Sequence, residues 1–305
     1  MNRLDAMQLF VRVAELGSFA AVATQLGVAR SVVTRQIAAL EAHLGTKLMV
    51  RTTRRLTLTA AGQAYLERCR AILALVETAE AEVMEGRLVP RGSLRVGLPL
   101  SFGLKRLMPT LLAFAERYPE ISLSFDFTDR HLNLIEEGFD LSLRITARLE
   151  PGEIVRKLGE SHLVTVAAPA YLEQHGIPTH PDQLERHACL GYSPQLNQQP
   201  WVYTIDGEAR NVYLPLRLQA NNGDALCQAA SLGLGIALQP DFIVADYLQR
   251  GTLVALLEAF RPPPFGIYAV FPSNQYLPYR VRLLVDALAS QFAAAEAATT
   301  PWRPS

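Results

Sequence analysis

SVVTRQIAALEAHLG, residues 31–45, carries apolar residues at helical spacing on one side and Ser, Thr and Arg on the other. On a wheel of about 100° per residue, Ile37, Leu40 and Leu44 fall close to Val33 and define a stripe to be buried. Ser31, Thr34, Arg35 and Ala38 fall on the opposite side, with the acidic Glu41 held back by a turn. A generic solvated face mixes Glu and Lys. Small hydroxyls, one guanidinium and a methyl instead let a helix enter the major groove, where Arg bonds guanine through two donors and Thr meets a thymine methyl or a phosphate.

The flanks sharpen this expectation. Upstream, Leu4, Met7, Phe10, Val11 and Ala14 recur at helical spacing, and Gly17 ends that helix. Ser18 is placed to cap a second, Ala-rich helix through Leu26, and Gly27 makes the turn into the quoted segment. Helix, tight turn, helix is the plan of a helix-turn-helix. Downstream, VRTTRRLTLT (residues 50–59) is a candidate β-ribbon. Its Arg51, Arg54 and Arg55, interleaved with threonines, suit phosphate contacts and a narrow minor groove; a hairpin with incidental arginines is the alternative.

Charge points the same way. The 305-residue chain has a formal net charge of zero, yet residues 1–60 hold eight basic and three acidic residues, balanced by 21 basic and 26 acidic in the remainder. A basic end on a neutral chain fits one module that meets a polyanion and another that does not. The composition, 50% hydrophobic and 19% charged, is that of a globular protein of about two or three domains. No apolar run reaches the length of about 18 residues that a membrane span requires. The first residues, with Asp5 and Glu15 and no small-residue cleavage site, do not form a secretory signal. Three scattered cysteines, Cys69, Cys189 and Cys227, fit a reducing cytoplasm.

Thr59 can cap a long helix at 60–87, along which Tyr65, Cys69, Ile72, Val76, Ala79 and Val83 keep a seven-residue repeat. Such a seam pairs a helix with its copy in a second chain; a core helix lying on its own domain is the alternative. Pro90-Arg91-Gly92 marks a boundary. Beyond it, strand-like and helical runs alternate (LRVGLPL, LKRLMPTLLAFAERYP, ISLSFDF, RHLNLIEEG, DLSLRI), which predicts βαβ units in an open, largely parallel sheet. A second such region spans 162–265, and the chain returns through FGIYAVF and a helix from Tyr279 to about Ala294. Two such lobes leave a cleft at the strand ends where small ligands sit. The ATTPWRPS tail is expected to fray.

From Phe10 to Gly62 the chain resembles the LysR-type transcriptional regulators. The winged-helix signature is visible in AELGSFAAVATQLGVARSVVTRQIAALEAHLGTKLMVRTTRRLTLTAAG. Gly17-Ser18-Phe19, Ala23, Leu26, Thr34 to Ile37, Leu40-Glu41, Leu44-Gly45 and Leu48 carry the match, and Arg51, Arg54, Leu58-Thr59 and Ala61-Gly62 close it. The family usually places Ser before the recognition helix; here the residues are Val28-Ala29-Arg30, so Ser31 is expected to cap instead. Met49-Val50 stands where Leu-Phe is common, an apolar swap that should still pack.

The resemblance implies an all-α winged helix-turn-helix N-terminal domain over 1–59, a dimerising linker helix over 60–90 and an α/β two-lobed C-terminal effector domain over 91–305. The last is like the type 2 periplasmic binding proteins, with lobe I at 91–161 and 266–295 and lobe II at 162–265. It further implies that Arg30, Ser31, Thr34 and Arg35 meet the major groove, Arg54 the minor groove, and Arg51 and Arg55 mainly phosphates.

In this fold the ligand meets helix N-termini, whose free N–H groups and dipole favour anions. The candidates are Leu100, Ser101 and Phe102, then Thr128, then Asn221; the resemblance adds Arg144 with Thr146 and the stretch from Gly191 to Ser193. Each has a plainer alternative: Ser101 or Asn221 as helix caps, Thr128 and Thr146 as strand ends, Arg144 in a structural ion pair. Together they make a small anionic or polar effector the expectation. Cys227, one turn into the following helix, is either a stabilised thiolate or a small buried hydrophobe.

Against an enzyme, the six histidines show no zinc-like pairing, GLGIAL at 233–238 lacks the third glycine of a dinucleotide loop, and no nucleophile turn or phosphate loop occurs. No catalytic residue, cofactor or metal is therefore expected. A solute-binding protein without a transcriptional role is the alternative that shares the lobes. The regulator reading brings as partners double-stranded DNA with an interrupted palindromic operator, a small effector, a second copy of the chain in a dimer or dimer of dimers, and RNA polymerase.

Overall fold

Asn2 starts the first helix: its side-chain oxygen accepts the Leu4 N–H at 3.2 Å and α1 (Arg3–Leu16) follows. Ser18 does the same for α2 (Phe19–Leu26) through the Ala21 N–H at 3.3 Å. Gly27, at φ 65°, takes the left-handed turn that a branched residue would resist, and leads into α3 (Arg30–Leu44). A two-stranded antiparallel ribbon, β1 (Met49–Arg51) with β2 (Leu56–Leu58), and the long α4 (Ala60–Val83) complete this part. The computed structural model describes residues 2–51, 56–83, 89–193, 200–272 and 277–298. They fall into two compact units, Met1–Val89 with Asn274–Arg282, and Pro90–Ser273 with Leu283–Ser305.

In the first unit Leu9, Phe10, Val13, Val22, Val33, Ile37, Leu40, Leu48, Leu66 and Cys69 form one buried cluster. Val33, Ile37 and Leu40 are thus the stripe the wheel predicts, but Leu44 is exposed and Glu41 is buried in its stead. The physical reason lies in the ribbon. Glu41 Oε1 accepts the backbone N–H of Leu48 at 3.0 Å and of Met49 at 3.2 Å, and Oε2 pairs with Lys47 Nζ at 2.6 Å. Of the Met49-Val50 pair only Met49 packs inside; Val50 is exposed. Burial pushes the Glu41 pKa up, but the bonds from Lys47, Met49 and Leu48 outweigh it and hold it below the ordinary carboxylate value.

Glu41→Ala leaves two buried N–H groups unpaired and is expected to destabilise this unit by about 2–4 kcal/mol, read by urea unfolding. The carboxylate's contribution is fully present above the ordinary carboxylate pKa and is lost as pH falls through the lowered folded value, so the deficit should shrink on acidification. A deficit under about 0.5 kcal/mol at neutral pH would contradict the assignment.

Thr59 caps α4, accepting the Gly62 N–H at 2.9 Å while its hydroxyl donates to the Lys47 carbonyl at 2.7 Å. The predicted seam along α4 is divided. Tyr65 and Cys69 turn inward with Leu66, because three short helices cannot close this core alone. Ile72, Leu75 and Ala79 are exposed, Val76 is half-buried, and the Val83 side chain lies outside the described residues, as do 84–88.

The second unit begins with β3 (Gly92–Leu98). A short α5 (Leu100–Phe102) passes through a π-helical turn at Gly103–Leu107 into α6 (Met108–Arg117). Then come β4 (Ile121–Phe127), α7 (Leu134–Glu137), β5 (Leu141–Thr146) and β6 (Ile154–Ser161). The chain crosses into a second lobe of β7 (Leu163–Ala167), α8 (Pro169–His175), β8 (Cys189–Tyr192), β9 (Trp201–Ile205), β10 (Glu208–Val212) and β11 (Leu216–Ala220). It continues through α9 (Gly223–Ser231), β12 (Ile236–Pro240), α10 (Asp241–Gln249) and β13 (Val254–Leu256), then returns by β14 (Phe265–Phe271) and α11 (Tyr279–Ala298).

The sheets run β4-β3-β5-β14-β6 and β11-β8-β12-β7-β13. Each is largely parallel, as the alternation predicts. In each, four of the five strands run the same way and one, β14 or β7, opposes both its neighbours. The exception marks the crossover: β14 returns between β5 and β6 against both, and β7 enters the second sheet against both its neighbours. The β9–β10 hairpin turns at Asp206-Gly207, both with positive φ. An Asp-Gly pair between strand-like runs is the local sequence signal for such a hairpin.

Candidate functional site

Two candidate sites emerge, one in each unit. On α3 the side chains of Arg30, Ser31, Thr34 and Arg35 are all exposed, opposite the buried Val33, Ile37 and Leu40. The first turn holds no acidic residue, and no side chain caps the helix: Ala29 occupies the cap position and Ser31 lies inside the helix. Ser31 therefore remains on the open face and does not cap. Thr34 Oγ1 donates to the Arg30 carbonyl at 3.0 Å, which leaves its lone pairs free to accept. Arg51 ends β1 opposite Leu56; its side chain, and all of Arg54 and Arg55, lie outside the described residues.

The second site lies where the parallel strands of the two lobes end. Strands β3 and β4 run in register to Leu98 and Phe127, so that Leu100, Ser101, Phe102 and Thr128 follow from one edge. In the other lobe Ala220 pairs with Tyr192, and the Ser193 N–H donates to the Ala220 carbonyl at 3.0 Å. The two edges are tied together. Ser101 Oγ donates to Asp224 Oδ2, Lys105 Nζ pairs with Asp224 Oδ1 at 2.6 Å, and the Phe102 ring meets Phe242 edge-on at 4.9 Å.

The named residues divide between this junction and structural duties. Ser101 joins the junction and caps nothing; the cap of α9 is Asn222, whose side chain accepts the Ala225 N–H at 3.0 Å, while Asn221 beside it is exposed. Phe102 is buried between Phe242 and Phe292. Thr128 accepts the Arg130 N–H at 3.3 Å, and Thr146 closes a turn on both backbone groups of Arg148. Arg144 forms the ion-pair alternative, with Glu153 and the Leu132 carbonyl. Ser193 is buried, and its hydroxyl has no partner among the described residues.

The chain's own carboxylates stand at the helix starts expected to receive an anion. Asp129 Oδ1 accepts the Leu100 N–H at 3.0 Å, and Asp224 lies in the first turn of α9. Burial raises the Asp129 pKa against the Leu100 bond, with the Asp224 charge adding to the rise. Burial, then Asp129, push the Tyr192 phenol up to about 12. Cys227 is fully buried, and burial followed by Asp224 pushes its thiol up to about 12; it is the small buried hydrophobe, with no stabilised thiolate. Asp129, Asp224, Lys105 and Tyr192 were not singled out from sequence, since the contacts that gather them span up to 123 positions.

The LysR substrate binding domain matches residues 88–293, and the bacterial regulatory helix-turn-helix protein of the lysR family matches residues 4–63. An HTH-type transcriptional regulator of Haemophilus influenzae is 33% identical over 281 residues, 92% of this chain and 98% of its own. The structure of CrgA, a LysR-type transcriptional regulator from Neisseria meningitidis, is 32% identical, covers 94% of this chain and 98% of that one, and has a TM-score of 0.61. Full-length AphB, the Vibrio cholerae virulence activator, is 31% identical over 94% and 98%, with a TM-score of 0.58. These relatives are regulators, which removes the solute-binding alternative. No helix among the described residues is long and apolar enough to cross a membrane. The chain belongs to the LysR family of transcriptional regulators, with a helix-turn-helix DNA-binding domain followed by an effector-binding domain of two α/β lobes.

Proposed function

We propose that the chain acts in the cytoplasm as a dimer or dimer of dimers that reads an interrupted palindrome through the outer face of α3. The observation that carries this is the exposure of Arg30, Ser31, Thr34 and Arg35 on one helix whose opposite side is buried. Arg35 and its neighbours take base edges in the major groove, and Arg54 enters the adjoining minor groove. Arg51 and Arg55 hold phosphates, which fixes register without reading sequence. The exposed Ile72, Leu75 and Ala79 on α4 support pairing with a second copy. Two-fold symmetry of the protein then requires two half-sites related by inversion.

A polar small molecule at the junction of Ser101, Asp224 and Ser193 changes how the lobes are tied. It biases the arrangement of the DNA-binding pairs only by as much as its affinities for the two arrangements differ. DNA bend and contact with RNA polymerase follow from that arrangement. Selection of bound duplexes from a random library by the full chain is expected to enrich an inverted repeat with a gap. A pool enriched in direct repeats, or left without sequence preference at about 0.15 M salt, would contradict the proposal.

A further inference from the structure

Two polar atoms at the lobe II edge of the junction are buried without a hydrogen-bond partner among the described residues. They are the Ser193 hydroxyl and the Gln239 Nε2, in residues 5% and 1% exposed. The two residues adjoin the start of α9. Ser193 is bonded to Ala220, just before the helix, and a Cβ built on Gly223 would come within 2.5 Å of Gln239 Oε1. Folded proteins leave few such groups unsatisfied, and a bound ligand is one way to complete them.

The opposite side of the junction is acidic. Asp224 is paired with Lys105, which the π-helical turn carries, whereas no salt bridge reaches Asp129 among the described residues. Burial and the neighbouring Asp224 both disfavour the charged form of Asp129, so a cation arriving there is stabilised by two carboxylates. An anion would meet them instead. Arg144, the cation that the sequence places at this cleft, is held by Glu153.

We propose that the effector is a small zwitterion: a cationic nitrogen held by Asp129 and Asp224 in place of Lys105, and an oxygen acceptor bound by Ser193 Oγ and Gln239 Nε2. The proposal rests on the effector-cleft assignment above and adds the charge of the ligand to it. It also ties binding to the lobes, because the ligand displaces Lys105 of one lobe from Asp224 of the other.

The test measures thermal shift and calorimetric binding of the full chain. The probes are ω-amino carboxylates from glycine to 6-aminohexanoate, each beside the dicarboxylate and the hydroxy acid of matching length. At least one amino acid of the series is expected to raise Tm, with its matched dicarboxylate and hydroxy acid silent. Asp129→Asn and Gln239→Leu should each weaken that binding about tenfold or more. Lys105→Met, which removes the resident competitor without touching the ligand's partners, should strengthen it about threefold.

Dicarboxylates that bind as well as the amino compounds, a silent amino series, or unchanged affinity in Lys105→Met would each overturn the proposal. Duplex selection on the same ligand-free protein keeps the two failures apart. A silent series with sequence-selective DNA binding intact refutes only the zwitterion, whereas loss of selectivity refutes the operator reading whatever binds the cleft.

Discussion

Gly62→Ala is expected to unfold the DNA-binding unit while leaving the effector-binding unit's own transition in place. A Cβ at residue 62 would sit 1.9 Å from the Leu48 carbonyl oxygen and 2.8 Å from its carbon. The obstacle is backbone, so no side-chain rotation relieves it. Leu48 cannot withdraw either, since its N–H is bonded to Glu41 and its side chain is fully buried. The first turn of α4 must therefore lift away, which breaks the Thr59 cap and opens the core around Leu66 and Cys69. A cost of about 4–5 kcal/mol is expected from strain of this kind, comparable to the whole stability of a small domain. The measurement is thermal unfolding by circular dichroism together with duplex binding. An N-terminal transition within about 1 °C of the original would refute the predicted clash.

The same corner shows what the sequence could and could not reveal. Ser18, Thr59 and the Val33-Ile37-Leu40 stripe are local signals: a cap and its N–H lie about three residues apart, and a stripe repeats every turn. Glu41 is different. It is inside only because the ribbon brings two orphan N–H groups to it, a fact written in the path of residues 45–49 and not in the periodicity of α3. Its charge argues for solvent until those partners are known.

The long helix misleads for a related reason. A seven-residue repeat says that one face of α4 is covered, but not by what, and here the winged domain covers the first third itself. In the effector-binding unit the alternation of strands and helices gives the lobes, while strand direction depends on which neighbour a returning segment meets. At the cleft the helix starts were legible from LPLSFG and QANNGD. The carboxylates that stand at them were not, because Ser101 and Asp224 meet only through the closure of two sheets.

Arg35→Ala carries the second large effect, on recognition and not on stability. The side chain is exposed and sits on the face opposite the core, so its loss leaves no cavity. A guanidinium bound to guanine by two donors contributes about 1–3 kcal/mol of discrimination, or roughly 5- to 150-fold in the preference for operator over unrelated duplex. Replacing a phosphate-holding residue such as Arg51 has a different signature: all duplexes weaken alike, and the slope of log affinity against log salt falls by about 0.9. Binding of ligand at the cleft should be unaffected by Arg35→Ala, since that residue belongs to the other unit.

The decisive measurement is the ratio of affinities for the selected duplex and a scrambled one at fixed salt, taken for the unaltered chain and for Arg35→Ala. Sequence reading by α3 predicts a large ratio for the first and a collapse of that ratio for the second, with the affinity for scrambled DNA little changed. An Arg35→Ala chain that kept the full ratio would place the reading of sequence on some surface other than the outer face of this helix.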